Sequence, residues 1–390
     1  MPRKLFVISN VLFLLIALTG AEAAVKTQCP PGKTCRHLVG VDGFATMADG
    51  YPQYIFSFVD VTGVPDNDVL AEAELNAQHP APTIRVKQGD EFYLTLTTAP
   101  MKMRPDLFDA HSIHWHGFPN ATPVFDGEPM ASIGTNPGAS FTFYYKVPPS
   151  PGTYAYHCHV EASEHMQMGM LGHLSVTPIQ DDGPPIEYPP LSGKFYSRFA
   201  YNDGDGSTGY DRDYPVMIIG YDPLFHDNNL AIQPLPFADM HDRYMTINGR
   251  GYPDTINPGV LPPPTLPDGG VGKVSQSQNA LMEAYQGERI LLRVASLSTV
   301  HFSTLTIPGI TMKVVGRDAQ LLRGPTGANL YYDTNTITLG GGETFDVILE
   351  TENVPAGTYF LYTTNHRDLS NNKQDYGGLM TEIVIHPPLP

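Results

Sequence analysis

Apolar residues along this chain come in short runs, each closed by turn-forming Gly, Pro, Asn or Asp. Tyr51 to Val59 is one such run, rich in aromatic residues, and reads as a buried strand. Pro82 to Leu96 reads as two strands joined at Gly89-Asp90. Further strands are expected through His111–His116, over Ser140 to Val147 as a hairpin partner, from Gly152 towards His159, and over Gly169 to Val176 as a closing strand. The polar stretch 65–79 and the segment from Phe118 to Asn136 read as loops. Short strands at this spacing predict a β-sandwich or barrel, and so an all-β fold. Only 16% of residues are charged and Gly and Pro number 37 each, which fits that turn-rich class.

The pattern then repeats. Val86-Lys-Gln-Gly-Asp-Glu91 resembles Ala284-Tyr-Gln-Gly-Glu-Arg289. Pro137-Gly-Ala-Ser-Phe-Thr-Phe143 with Pro151-Gly-Thr-Tyr154 resembles Gly341-Gly-Glu-Thr-Phe-Asp-Val347 with Ala356-Gly-Thr-Tyr359. Gly169 to Val176 matches the stretch from Gly378 onward. Two copies of one sandwich are therefore expected: residues 24–177, a Pro/Gly/Asp linker over 178–195, and residues 196–390.

Chemistry concentrates in the first copy. On a strand, successive side chains face opposite ways. His157 and His159 therefore share one face and Cys158 takes the other. Upstream, His114 and His116 share a face and His111, an odd number away, takes the opposite one. A thiolate, two imidazoles and a thioether make the ligand set of a blue-copper electron-transfer centre. His111, Cys158, His165 and Met170 supply it. His114, His116, His157 and His159 then form a second, imidazole-only site behind it. A lone buried His or Cys is ordinarily packing; two motifs of matched parity set these apart. Aligning the copies puts Ser303, Thr306 and Pro308 at the places of His111, His114 and His116, and Tyr362, Thr363 and Thr364 at His157, Cys158 and His159. Leu379 falls near the place of Met170. His301 and His366 stand two residues from ligand positions, on the same strand face, which leaves them as ligand candidates, with a core or surface histidine as the alternative for each.

Residues 1–23 carry Arg3-Lys4, an apolar run and Ala21-Glu-Ala23, the pattern of a secretory leader, which makes the chain exported, periplasmic or extracellular. No other segment has the length of a membrane span. The net charge of −17, or −18 without that leader, argues against nucleic acid as partner. Cys29 and Cys35 are expected to pair in an oxidising compartment; the alternative, a metal site, lacks nearby donors. Cys158 is left odd, and metal ligation gives it a role.

His114-Trp-His-Gly117, Phe125-Asp-Gly127, Pro137-Gly138 and the run from His157-Cys-His159 to Met170 resemble the multicopper oxidases, at motif level over most of residues 80–177 and as a domain pattern beyond. The resemblance implies two cupredoxin-like Greek-key sandwiches. It implies type 1 copper on His111, Cys158, His165 and Met170, and a type 2/type 3 cluster reducing dioxygen to water. His114, His116, His157 and His159 would be half of that cluster. Asp126 would be the acidic residue that helps deliver protons; its alternative is a turn residue before Gly127. Two departures stand out. The type 1 set lies in the first unit, as in the small two-domain group. And a full cluster needs eight histidines where one chain offers four. A homo-oligomer would supply the rest, either a trimer joining unit 1 to a neighbour's unit 2 or a twofold pairing of unit 1 with itself. Three functions compete: an oxidase taking electrons from a small-molecule or metal-ion reductant; an electron carrier or copper-handling protein, with Met101, Met103, Met166 and Met168 as candidate cuprous ligands; and a copper nitrite reductase. The last is disfavoured by His114 where that family has Asp and Thr364 where it has His.

Overall fold

The computed structural model describes residues 25–118, 122–147 and 150–389; the leader expected over residues 1–23 lies outside them. In chain order the first half holds β1 (Thr34–Thr46), β2 (Pro52–Asp60), α1 (Val69–Ala73), β3 (Ala81–Lys87), β4 (Glu91–Thr98), β5 (His114–His116), β6 (Ser140–Lys146), β7 (Gly152–His157), α2 (Ala162–Met168) and β8 (Leu171–Thr177). The short strands β9 (Ile186–Glu187) and β10 (Phe195–Tyr196) follow. The second half holds β11 (Arg212–Tyr221), α3 (Pro223–Leu230), β12 (Tyr244–Ile247), β13 (Met282–Tyr285), β14 (Arg289–Ser296), β15 (Ser303–Thr306), β16 (Met312–Arg317), β17 (Gln320–Leu321), β18 (Tyr332–Thr334), β19 (Thr336–Leu339), β20 (Thr344–Glu350), β21 (Gly357–Thr363) and β22 (Met380–His386). No helix among the described residues is long and apolar enough to cross a membrane.

Two sheets form in each half. In the first, β2-β1-β4-β6 and β3-β8-β7-β5 enclose a core of Phe92, Leu94, Phe143, Tyr145, Trp115, Tyr156 and Leu174. In the second, β12-β11-β14-β20-β16-β17, with β18 on β16, and β13-β22-β21-β15-β19 enclose Ile290, Leu292, Val347, Leu361 and Ile383. Phe92, Leu94 and Leu96 alternate with Tyr93, Thr95 and Thr97 on β4 with the two-residue period of a strand, and from Leu94 onward both of its faces are buried.

The two halves share one register. His114 on β5 lies opposite His157 on β7, and Thr306 on β15 lies opposite Tyr362 on β21. The Cys158 N–H donates to the Met170 carbonyl at 3.0 Å, and the Thr363 N–H to the Leu379 carbonyl at 3.1 Å. The second copy thus keeps the strand geometry of the first, with Thr306, Tyr362, Thr363 and Leu379 in the places of His114, His157, Cys158 and Met170.

Several sequence expectations are corrected. Ser140 to Lys146 pairs with β4 in the opposite sheet, and β5 pairs with β7, because Phe143 and Tyr145 must face the core that Trp115 faces from the other side. Residues 65–79 contain α1, which buries Val69 and Ala73. The long strand β1, broken up in sequence by Gly40 and Gly43, was hidden by its small residues. Cys29 and Cys35 are disulfide-bonded just as β1 begins.

The copper-motif strand is fastened to the second half. The hydroxyl and N–H of Thr153 on β7 donate to the Asp346 carboxylate at 2.6 and 3.2 Å, and Tyr201 donates to it at 2.6 Å. Arg293 reaches the same carboxylate at 3.6 Å, and neither side chain meets solvent. Removing one partner of a buried charge pair strands the other. Asp346→Ala should therefore lower unfolding free energy by about 3 kcal/mol or more, measured by denaturant titration. A second expectation concerns acid. Burial holds His79 and His173 down to about 3 and His226 to about 4, below their unfolded value. The folded state then binds fewer protons, so their stabilisation is complete above the unfolded histidine value and is lost as pH falls from there toward those folded values. The metal-free protein should lose up to about 1.4 kcal/mol per histidine per pH unit across that window, read as a falling Tm between pH of about 6.5 and 5.

Candidate metal centre

Trp115 sets the first half of the site. It is fully buried and stacks on Tyr145 at 3.9 Å, so its neighbours His114 and His116 must face the other side of β5. Tyr154 and Tyr156 do the same on β7, entering the core on the side that Cys158 joins, while His157 faces away. The alternation inferred from sequence therefore operates here, although Cys158 and His159 lie just beyond β7 and His111 lies before β5, held by a bridge to Thr135.

Beneath this strand end is a buried pocket of donors. The Cys158 sulfur stands 3.3 Å from His165 Nδ1 and 3.9 Å from His111 Nδ1, and the two rings are 4.9 Å apart. His111, Cys158, His165 and Met170 are all sealed from solvent. His165 arrives on α2, which strand parity alone did not foresee. The helix ends at Gly169, whose φ of 114° and close approach to the Phe56 carbonyl suit glycine, and the turn returns Met170 to the buried cluster that holds Cys158. Gly40 on β1 lies flat against the His111 ring and the Met170 methyl; a Cβ there would overlap the ring. The Ser112 N–H points at the Cys158 sulfur at 3.4 Å.

Electrostatics favour a cation in this pocket. Burial pushes His111 well below its ordinary value, leaving a neutral ring with a free lone pair. Burial would do the same to His165, but the Cys158 sulfur and Asp109 outweigh it and lift the ring to about 10. Positive charge is thus drawn into a dry site that holds soft and borderline donors, and a copper ion fits that demand. Asp109, 3.9 Å from His165 Nε2, was missed in the sequence, where no motif marks it.

On the opposite face four imidazoles converge. His114 and His157 rings are 5.2 Å apart, His114 and His159 5.1 Å, and His116 and His157 5.6 Å. His114 donates Nδ1–H to the Asp126 carbonyl at 2.7 Å, and His157 donates Nδ1–H to the Cys158 carbonyl at 2.9 Å. Each is left with Nε2 as its lone-pair donor. His116 Nδ1 faces His157 Nε2 at 3.3 Å. Burial lowers His114, His116 and His157, the last to about 3, which keeps lone pairs available. These rings line a cleft of about 390 Å³, whose far wall is Leu297, Ser298, Thr299, Gly341 and Gly342 of the second half. The Asp126 carboxylate stands 3.6 Å from His114 Nδ1, so its backbone orients the ring while its side chain stays partly open to solvent. His301 and His366 join neither donor set.

Comparison with known proteins bears on the family and the fold. Residues 63–181 and 227–382 each match a sequence profile described as Multicopper oxidase, together well over half of the chain. An L-ascorbate oxidase of Nicotiana tabacum is 26% identical over 76% of this chain and 46% of its own length. Laccase-2 of Cryptococcus neoformans var. grubii is 24% identical over 80% of this chain and 46% of its own. The chain thus spans about half the length of these relatives. In fold, the blue copper oxidase of Nitrosomonas europaea superposes with a TM-score of 0.64 at 23% identity, covering 90% of this chain and 86% of that one. On its two matched segments, its paired sandwiches and its twin donor sets, this chain belongs to the multicopper oxidase family.

Proposed function

We propose that this chain is an exported copper-dependent oxidase that takes single electrons from a small-molecule or metal-ion reductant and delivers them to dioxygen. One observation carries the reading: Cys158 lies between His157 and His159 in sequence, its sulfur facing one donor pocket and their rings facing the other. His111, Cys158, His165 and Met170 would hold type 1 copper; His114, His116, His157 and His159 would hold half of a type 2/type 3 cluster. Copper bound at these places supplies one-electron transfer and the reduction of dioxygen to water.

The chain's own residues prepare both ends. The sealed pocket excludes water from the thiolate, and the Ser112 N–H steadies its charge. A short covalent path joins the sites through Cys158 and its neighbours' backbone. The Asp126 carboxylate, beside His114 and reachable by water, is placed to collect protons for the imidazole side. Export is supported by the Cys29–Cys35 disulfide together with the leader-like N-terminus.

In the oxidase reading, another copy of the chain would supply the remaining imidazoles. Because the second half carries Thr306, Tyr362 and Thr363 in the ligand register, a neighbour's second half would bring blanks as well. Two first halves meeting across a twofold axis bring eight histidines. A second reading, an electron carrier or copper-handling protein with the type 1 site alone, is favoured by the same half-complete set.

Copper-loaded Cys158→Ser should lose both the visible thiolate-to-copper absorption and oxygen uptake with a phenolic reductant. His157→Ala should keep the absorption and lose uptake by about 100-fold or more. A colourless wild type would sink the proposal. For assembly, light scattering should give an even-numbered oligomer with more than one copper per chain, and His114→Ala should lower the copper count. About one copper per chain without oxygen uptake would select the carrier.

A further inference from the structure

His301 belongs to no donor set, yet its imidazole stands near two buried carboxyls, Asp242 and Asp368, and opposes the charge of each. Asp242 is almost wholly enclosed. Its Oδ1 accepts from the Gln167 amide at 3.1 Å and its Oδ2 from the Ser298 hydroxyl at 3.2 Å. Gly220 on β11 makes the room, since a Cβ there would collide with Oδ2. No Lys or Arg side chain ion-pairs with this carboxyl among the described residues. Arg367 donates instead to the Asp242 backbone carbonyl at 3.0 Å. Burial raises the carboxyl above its ordinary range; Gln167, His301 and Ser298 draw it back, and Asp222 adds to the rise. Tyr221, on β11, also faces it, and Arg243, Arg367 and Asp368 line the outer cleft beside it.

Asp242 lies between two clefts. Ser298, bonded to its Oδ2, lines the cleft of the four imidazoles, as does Thr299, bonded to the Gln167 amide at 3.0 Å. On the other side Asp242 itself lines a cleft of about 160 Å³ with Arg243, Arg367, Asp368 and Ser370.

We propose that Asp242 is a proton-relay residue, carrying protons from this outer cleft through the Ser298 hydroxyl to the cleft of the four imidazoles. The inference rests on the oxidase reading, in which each dioxygen becomes two waters with four electrons from the reductant and four protons from solvent. Asp242 Oδ2–H gives its proton to Ser298 Oγ as the hydroxyl releases its own into the imidazole cleft. The carboxylate left behind is reprotonated from the outer cleft, which Asp368 lines. The route enters from the second half, on the far side of the cleft from Asp126.

The test times the reoxidation of the copper-loaded, anaerobically reduced full chain on mixing with dioxygen, by return of the visible absorption. Asp242→Asn and Ser298→Ala should each slow it by about tenfold or more. Both should enlarge the solvent deuterium isotope effect and leave the KM for reductant unchanged. The metal-free protein at neutral pH should show an infrared carbonyl stretch of a protonated carboxylic acid that survives in Ser298→Ala and is missing in Asp242→Asn. Should Asp242→Asn fail to fold, Ser298→Ala decides alone. Wild-type reoxidation rates and isotope effects in the folded variants, or no such stretch in the wild type, overturn the relay. A wild type that never consumes dioxygen removes the oxidase reading and the relay with it, whereas indifferent variants in an active wild type remove the relay only.

Discussion

The site depends on the alternation of side chains at a strand end, held in place by a single backbone hydrogen bond. The Cys158 N–H donates to the Met170 carbonyl and continues the β7–β8 ladder by one residue past the end of the strand. That bond directs the cysteine sulfur inward and the two flanking rings outward, and it fixes the backbone of Met170 beside that of Cys158. Without it the thiol, the thioether and the imidazoles would have no fixed relation. A one-residue slip would exchange the two faces entirely.

The surrounding packing resists such a slip. Trp115 and Tyr145 stack in the core, and Trp115 lies between His114 and His116. Turning the histidines inward would force the indole out, at the loss of a large buried apolar surface. On β7 the same duty falls to Tyr154 and Tyr156. Thr153 ties this strand to Asp346 across the seam between halves, so the strand carrying the cysteine is anchored at one end by charge and at the other by the ladder.

The two halves share strand order and register but not chemistry. Parallel pairing of β1 with β4 and of β3 with β8 recurs as β11 with β14 and β13 with β22. Retaining that frame needs only apolar residues at inward positions. Retaining ligands needs particular side chains at a few outward ones, and those are threonine, tyrosine and proline in the second half. What the second half offers the imidazole cleft is a wall, including the hydroxyls of Ser298 and Thr299 and, behind them, Asp242.

Much of this was legible in the sequence, because it follows from short-range rules. A period of two sorts His157, Cys158 and His159 onto their faces, and likewise His111 from His114 and His116; the odd cysteine singles out the thiolate; the internal repeat sets out two sandwiches with the ligands in one. What needed the tertiary structure involves residues far apart in sequence or with no motif of their own. The α2 turn that delivers His165, Gly40 against the His111 ring, Asp109 beside His165, and the pairing of β6 with β4 all arise from packing between segments. So does Asp242, whose ordinary carboxyl becomes a buried one between two clefts only once Gly220, Gln167 and Ser298 close around it. Local alternation is written in neighbouring residues, while burial, and the shift in proton affinity that follows from it, is decided only when distant segments pack together.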